Sequence, residues 1–279
     1  MLDNAGLSSE KNAQLTLIAD PAAPERTVVR VSVENKRKHY TAGQWVFICF
    51  PKLGVLHWHP FTISSASDDE QFSLHMLCGN HWTGKVRELA ESNDSVKAYI
   101  EGPYGSPMID VHGTQYKCFV VVSGGVGWTF VRSWKRQLIF DASRGRPVKS
   151  INSIAILKAA DRHQLPEFAG WDVPGSDSSA CADILTQEDI FLTGKRTNVD
   201  GVTDKLTPAS TPGVNITRGR PDLAKLLART ARTAVAVGES RVAIMICGNK
   251  GIVERVLEQA LKANTNQVTF DCHHEKFSF

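Results

Sequence analysis

One change of pattern constrains this chain more than any other. Near Gly102 its hydrophobic residues stop alternating with polar ones and begin to run together. From about Gln14 to Gly102 the runs TLIAD, TVVRVSVEN, QWVFICF, QFSLHML and VKAYIEG are short and rich in Val, Ile, Phe and Thr. In TVVRVSVE the valines alternate with polar residues, the signature of an antiparallel strand with one wet face. Only WTGKVRELAES, Trp82 to Ser92, reads as a helix there, with Thr83 as its N-cap. Six short strands and one helix predict a small antiparallel six-stranded β-barrel over residues 1–112.

After Gly102, KCFVVVS, SIAILKA and RVAIMIC are unbroken apolar runs, as expected of parallel strands covered on both faces. The first leads into GGVG and a helical stretch from Thr129 to Phe140. The third leads into GNKG and IVERVLEQALK, and QVTFDC closes the sheet. Repeated strand, glycine loop and helix predict an α/β nucleotide-binding domain over residues 113–279. Within it, residues 166–217 are rich in Ser, Thr, Asp, Gly and Pro with little periodicity. That is too long for an ordinary loop and reads as a surface insertion carrying no chemistry.

Composition narrows the class. A net charge of +3 over 279 residues gives no basis for a nucleic-acid partner. No apolar run reaches the roughly 18 to 20 residues needed to span a bilayer, and the first twenty residues lack a signal-peptide core. Cys49, Cys78, Cys118, Cys181, Cys247 and Cys272 are scattered among apolar neighbours without a C-x-x-C pair. They read as buried reduced thiols, and no metal site is expected.

Three constellations carry chemistry. HPFTISSA, His59 to Ala66, offers an aromatic and several hydroxyls at a strand end, although an ordinary barrel rim with turn-capping serines has the same composition. SGGVGWT, Ser123 to Thr129, follows a buried strand and opens a helix. Glycines there let the backbone approach a pyrophosphate that faces the helix start, though such turns also serve packing. CGNKG, Cys247 to Gly251, ends another buried strand, where a cysteine is as readily a core residue as a functional one.

The order AGQWVFICFP, HPFT, HWT, EGPYG, SGGVGWT, then GRP, CGNKG and FDCHHEKF, resembles the ferredoxin-reductase superfamily. The HPFT spelling resembles its membrane branch, the NADPH oxidases and ferric-chelate reductases. By that resemblance His59, Pro60, Phe61 and Thr62 line FAD, with Thr62 near flavin N5 and Pro60 and Phe61 against the ring. Ser64 and Ser65 meet the ribityl chain or phosphates, and the helix at Trp82 and Thr83 meets the pyrophosphate. Gly124, Gly125, Gly127 and Thr129 cradle NADPH, and Cys247 and Gly248 lie beside the nicotinamide. Arg220 of GRP and Arg162 meet phosphates, and Phe277 stacks on the flavin. Thr62, Cys247 and Phe277 are thus the expected catalytic positions.

Four residues depart from the family's spelling. Leu77 stands where an arginine contacts the FAD phosphate, with Lys85 or Arg87 as substitutes from the helix. Trp128 follows the glycine turn and narrows the mouth of the site. Ala160 replaces an arginine that selects the 2′-phosphate, with Lys158 and Arg162 nearby, and Asn249 replaces a loop proline.

The resemblance implies an NAD(P)H-dependent FAD oxidoreductase, itself soluble, on the cytosolic face of a membrane. It passes hydride from NADPH to FAD and single electrons to a membrane haem-containing domain, and so to oxygen or to ferric or cupric ions. Regulatory proteins are further implied partners. A free-standing flavin reductase and a degenerate, non-catalytic nucleotide-binding module are the alternatives.

Overall fold

The computed structural model describes residues 9–35, 40–79, 81–93, 95–107, 109–111, 113–169, 171, 183–194 and 213–275. It divides into two compact units, Met1–Ser106 and Pro107–Phe279.

The first unit contains β1 (Ser9–Ile18), β2 (Val28–Glu34), β3 (Trp45–Cys49), β4 (His59–Thr62), β5 (Gln71–Leu77), α1 (Trp82–Ser92) and β6 (Ser95–Tyr104). They form one antiparallel sheet in the order β4-β3-β6-β1-β2-β5. A bridge between Ile63 and Leu74 brings the two outer strands together and closes the barrel. Alternation put Val29, Val31, Val46, Ile48, Leu74 and Met76 inside, where α1 adds Val86, Leu89 and Ala90. Each such aliphatic side chain stabilises the fold by about 1.5–3 kcal/mol on burial.

The second unit contains β7 (Cys118–Gly124), α2 (Trp128–Ser143), β8 (Ser150–Lys158), β9 (Leu185–Thr193), β10 (Val214–Arg218), α3 (Leu223–Ala236), β11 (Arg241–Cys247), α4 (Lys250–Ala263) and β12 (Thr269–Glu275). All six strands are parallel, in the order β10-β9-β8-β7-β11-β12. Val120, Val122, Ile154, Ile244 and Ile246 pack against α3 and α4, while α2 covers β7 and β8 from the other side. The expected antiparallel barrel followed by a parallel sheet is therefore the observed architecture.

Residues 166–217 are more than a surface insertion, because β9 and β10 lie within them and β9 is an interior strand of the sheet. Its pattern was hidden by Glu188 and Asp189, charged residues at buried positions. Glu188 meets Lys135 of α2 at 2.7 Å, and Asp189 meets Arg229 of α3. Adjacent strand residues face opposite sides, so each charge is answered by the helix on its own face.

Candidate functional site

Strand alternation splits the HPFT quartet of β4 between two faces. Phe61 pairs with Val46 and His59 with Ile48, so these two share the inward face. Their rings stack on Trp82, with centroids 4.1 Å away for His59 and 6.2 Å for Phe61, and Phe50 stacks on the same indole at 5.8 Å. Burial, with neighbouring His57 second, pushes the His59 imidazole below its usual pKa, so it is neutral at pH 7.

Pro60 and Thr62 pair with Phe47 and Trp45 on the other face. There Trp45 packs against Phe47 at 5.1 Å and Tyr104 at 5.0 Å, and Tyr104 donates its hydroxyl proton to Glu101. That bond raises the Tyr104 pKa and keeps the phenol neutral. The result is a half-buried aromatic wall beside the Thr62 hydroxyl. Trp45, Phe47 and Tyr104 had no role in the sequence reading, although AGQW and EGPYG marked their positions. Pairing across strands is what gathers them.

The serines after β4 are buried in bonds to β5. Ser64 Oγ lies 2.8 Å from the Ser73 carbonyl and 2.7 Å from His75 Nδ1, and Ser65 Oγ accepts from the Ser73 N–H and meets the Tyr40 hydroxyl at 2.8 Å. Both are fully buried. Their hydroxyls are engaged by β5 and Tyr40 within the barrel unit, where the sequence reading had aimed them at the ribityl chain or phosphates.

Helix α1 starts at Trp82 rather than after Thr83. Its N-cap, His81, makes no side-chain capping bond. Thr83 Oγ1 instead accepts the Gly79 N–H at 2.9 Å and keeps its own proton to donate. Gly84 presses the same turn: a Cβ there would lie 2.5 Å from the Gly79 carbonyl oxygen. The helix start thus offers backbone donors and the positive end of the helix dipole without a side-chain acceptor to quench them. The indole N–H of buried Trp82 also has no acceptor. Of the cations expected to replace an arginine at Leu77, Arg87 is committed to Glu91 at 3.3 Å and to the Pro24 carbonyl, while Lys85 is exposed in the first turn.

In the second unit the two glycine loops meet. A Cβ on Gly127 would sit 2.9 Å from the Cys247 carbonyl oxygen and 3.2 Å from its sulfur, and one on Gly124 would strike Ile252. Gly125 alone needs left-handed backbone, at φ +59°, and has open space where a side chain would be. Thr129 is buried in the first turn of α2. Burial pushes the Cys247 thiol up to about 12, with Glu275 adding to the shift, so it is a neutral packing group rather than a thiolate. Trp128 does not narrow any mouth: it is fully buried, donates to Gln164 Oε1 at 2.8 Å and stacks on Phe168.

Beside these loops lies a cavity of about 530 Å³ at the carboxyl ends of the parallel strands. Ile156 and Lys158 reach it from the end of β8, Ala160 from the segment that follows, Gly219 and Arg220 from the turn after β10, and Arg255 from α4. Three cations line it, and no carboxylate does among the described residues. Arg162 lies in the 3-10 segment Ala159–Glu167 and is not among the described lining residues, so of the two cations near Ala160 it is Lys158 that reaches this space. Pro221 immediately precedes the α3 cap. The cap is Asp222, whose side chain accepts the Lys225 N–H at 3.0 Å. Phe277 lies outside the described residues. Arg255 was missed because it belongs to no motif, being simply the polar residue one turn beyond Ile252. Among the described residues no three His, Cys, Asp or Glu cluster as metal ligands, and no helix is long and apolar enough to cross a membrane.

Residues 11–108 match the family of FAD-binding domains. The chain is 30% identical to Dual oxidase 2 of Rattus norvegicus over 143 residues, 49% of this chain and 9% of the relative. It is 32% identical to Ferric reduction oxidase 5 of Arabidopsis thaliana over 162 residues, 57% of this chain and 22% of the relative. The chain therefore spans less than a quarter of either protein. Its fold resembles that of a ferredoxin NADP+ reductase from Neisseria gonorrhoeae with bound FAD and NADP. The TM-score is 0.59 at 12% identity, covering 95% of this chain and 98% of the other.

Proposed function

From the place of residues 11–108 in the family of FAD-binding domains, and the homology of the chain to dual oxidases and ferric reduction oxidases, we propose that it is the dehydrogenase part of an NADPH oxidase or ferric reductase. The barrel unit holds FAD and the α/β unit holds NADPH. FAD, when bound, accepts a hydride and returns its electrons singly, which protein side chains cannot do. Every residue role below concerns holding, orienting and shielding.

The residues of the barrel fit a flavin. Trp45, Phe47, Tyr104 and Pro60 supply an apolar wall and Thr62 a hydroxyl at its edge. The open start of α1, with the Thr83 hydroxyl and first-turn backbone N–H groups, supplies donors suited to phosphate oxygens. Ser64 and Ser65 act behind this wall by fixing β4 to β5.

The observation that carries the pyridine-nucleotide part is the cavity at the carboxyl ends of the parallel strands, where such sheets bind ligands, lined by Lys158, Arg220 and Arg255. Arginines engage phosphates in pairs of hydrogen bonds, and among the described lining residues no carboxylate opposes them. Neutral Cys247 packs against Gly127 where the two glycine loops meet, and Asn249 and Ile252 beyond it line the cavity. Electrons then leave to a haem-bearing membrane partner. No general base is required of the protein, because hydride transfer is governed by positioning.

The test is reconstitution of the chain with FAD, followed by anaerobic addition of NADPH or NADH while flavin absorbance is recorded. NADPH should bleach the flavin faster than NADH. Failure to bind FAD, or failure of both nucleotides to bleach it, would sink the proposal.

A further inference from the structure

The cavity at the strand ends sets an absence beside a presence. Ala160 occupies the position where the resemblance expects a phosphate-selecting arginine, and Arg255 lines the same space from α4. Arg255 Nε donates to the Gly251 carbonyl at 3.0 Å, one turn back along the helix. That bond fixes one edge of the guanidinium and leaves the two Nη groups, the fork that grips a phosphate, for a ligand.

Charge identifies the ligand group. A site for an unphosphorylated adenosine ribose characteristically presents a carboxylate to the 2′-hydroxyl, whereas one for a 2′-phosphate presents arginine. Here the described lining holds three cations and no carboxylate. A phosphate monoester carries about −1.5 to −2 charges, so it is best met by more than one cation. Lys158, at the end of β8, contributes a point charge, and a second, bidentate group has to come from elsewhere than residue 160.

We propose that Arg255 is the specificity-determining residue for the 2′-phosphate of the nucleotide, filling from α4 the role that Ala160 leaves vacant. This rests on the pyridine-nucleotide reading above. Arg220 follows the turn at Gly219 next to the α3 cap, and its charge serves the nucleotide whether or not the 2′-phosphate is present.

Calorimetric titration of the whole chain with adenosine 2′,5′-bisphosphate and adenosine 5′-monophosphate tests the assignment without flavin or turnover. The wild type should bind the bisphosphate more tightly. Arg255→Ala, an exposed substitution, should weaken the bisphosphate by roughly 10- to 100-fold and leave the monophosphate nearly unchanged, as loss of a charged hydrogen-bond pair implies. Arg255→Ala combined with Ala160→Arg should recover most of the discrimination. Equal weakening of both ligands would make Arg255 a general nucleotide contact and overturn the proposal. No weakening of either would overturn it as well. If the wild type bound neither compound, the pyridine-nucleotide reading itself would fall, a result distinct from any effect of the variant.

Discussion

The two units bury polarity by different means. In the barrel a buried network of hydroxyls and one imidazole, Tyr40, Ser64, Ser65, Ser73 and His75, bonds to itself and to backbone, and buried Asp69 accepts the Ala66 N–H in the turn before β5. The parallel sheet buries neutral groups too, Ser123, Ser150, Asn152 and Ser153, but β9 adds two charges, Glu188 and Asp189, each met by a cation from a helix. The layers explain the difference. A barrel strand has a wet face where charge can stay, and among the described residues no barrel strand buries a carboxylate or an ammonium. A strand covered by helices on both faces has no such outlet, and any charge on it must be matched across the layer. The comparison teaches that in this molecule helix and sheet of the α/β unit are fixed to one another by charge, and barrel strands by hydroxyl networks.

The sharpest way to break that contrast is Glu188→Ala. Glu188 is fully buried and Lys135 nearly so, and Lys135 also donates to the Phe168 carbonyl and lies over the Trp171 ring. Burial pushes the Lys135 pKa down and Glu188 pushes it back up, so removal of the carboxylate leaves an ammonium stranded. The expected loss is about 3–5 kcal/mol in the urea transition of the α/β unit. Lys135→Met with Glu188→Leu should restore most of it, because an apolar pair needs no match. A loss under about 1 kcal/mol for the single variant would mean that the pair does not pin α2 to β9.

A smaller effect is expected in the barrel from Ser64→Ala. The Ser73 carbonyl and His75 Nδ1 lose a partner in a buried setting, at a cost of about 1–3 kcal/mol. FAD affinity should be unchanged, since the hydroxyl is buried in its bonds to β5. A large loss of FAD affinity with little loss of stability would reverse that placement. Smaller again is the pH response of Glu239, which meets Lys117 at 3.0 Å and Lys149 at 2.7 Å. Its burial raises the pKa, but the bonds to Lys149 and Lys117 outweigh it, and the net shift is downward. A carboxyl lowered in the folded state contributes stability above its ordinary value near 4.5 and loses it as pH falls through the folded value. Glu239→Gln should therefore flatten the acid limb of a stability–pH curve, and an unchanged limb would remove Glu239 from the account.

What could be read from the sequence follows the same division. All six barrel strands stood out or could be placed from alternation and HPFT, because their inward positions are apolar. In the parallel sheet β7, β8, β11 and β12 were legible as apolar runs. β9 was not, because Glu188 and Asp189 look like surface residues until Lys135 and Arg229 are placed across the layer. β10 was missed because it is short, at the edge and largely exposed. The glycine loops were legible, but the reason for Gly127 was not: its Cβ would meet Cys247, 120 positions along the chain from Gly127. Inward and outward roles within HPFT required the register of β3 against β4, and Arg255 required the cavity.

The smallest effect sharpens the contrast most cleanly, because it holds the chemistry constant. Lys97 on β6 meets Glu10 on β1 at 2.8 Å, almost the separation of Lys135 and Glu188. Each shifts the other as a paired ion should: the Lys97 bond lowers Glu10, and the Glu10 bond raises Lys97. Both side chains are about half exposed or more, at 47% for Glu10 and 66% for Lys97. Water already solvates each ion there, and ordering two long side chains offsets the attraction. Lys97→Ala should therefore leave the barrel's denaturation midpoint where it is, and raising the salt concentration should not separate variant from wild type. A resolvable loss at Lys97, comparable with that at Glu188, would show that geometry alone sets the strength of these pairs. An unresolved one, beside a large loss at Glu188, would show that the absence of water does: at equal separation a charge fixes the sheet only where no solvent can replace its partner.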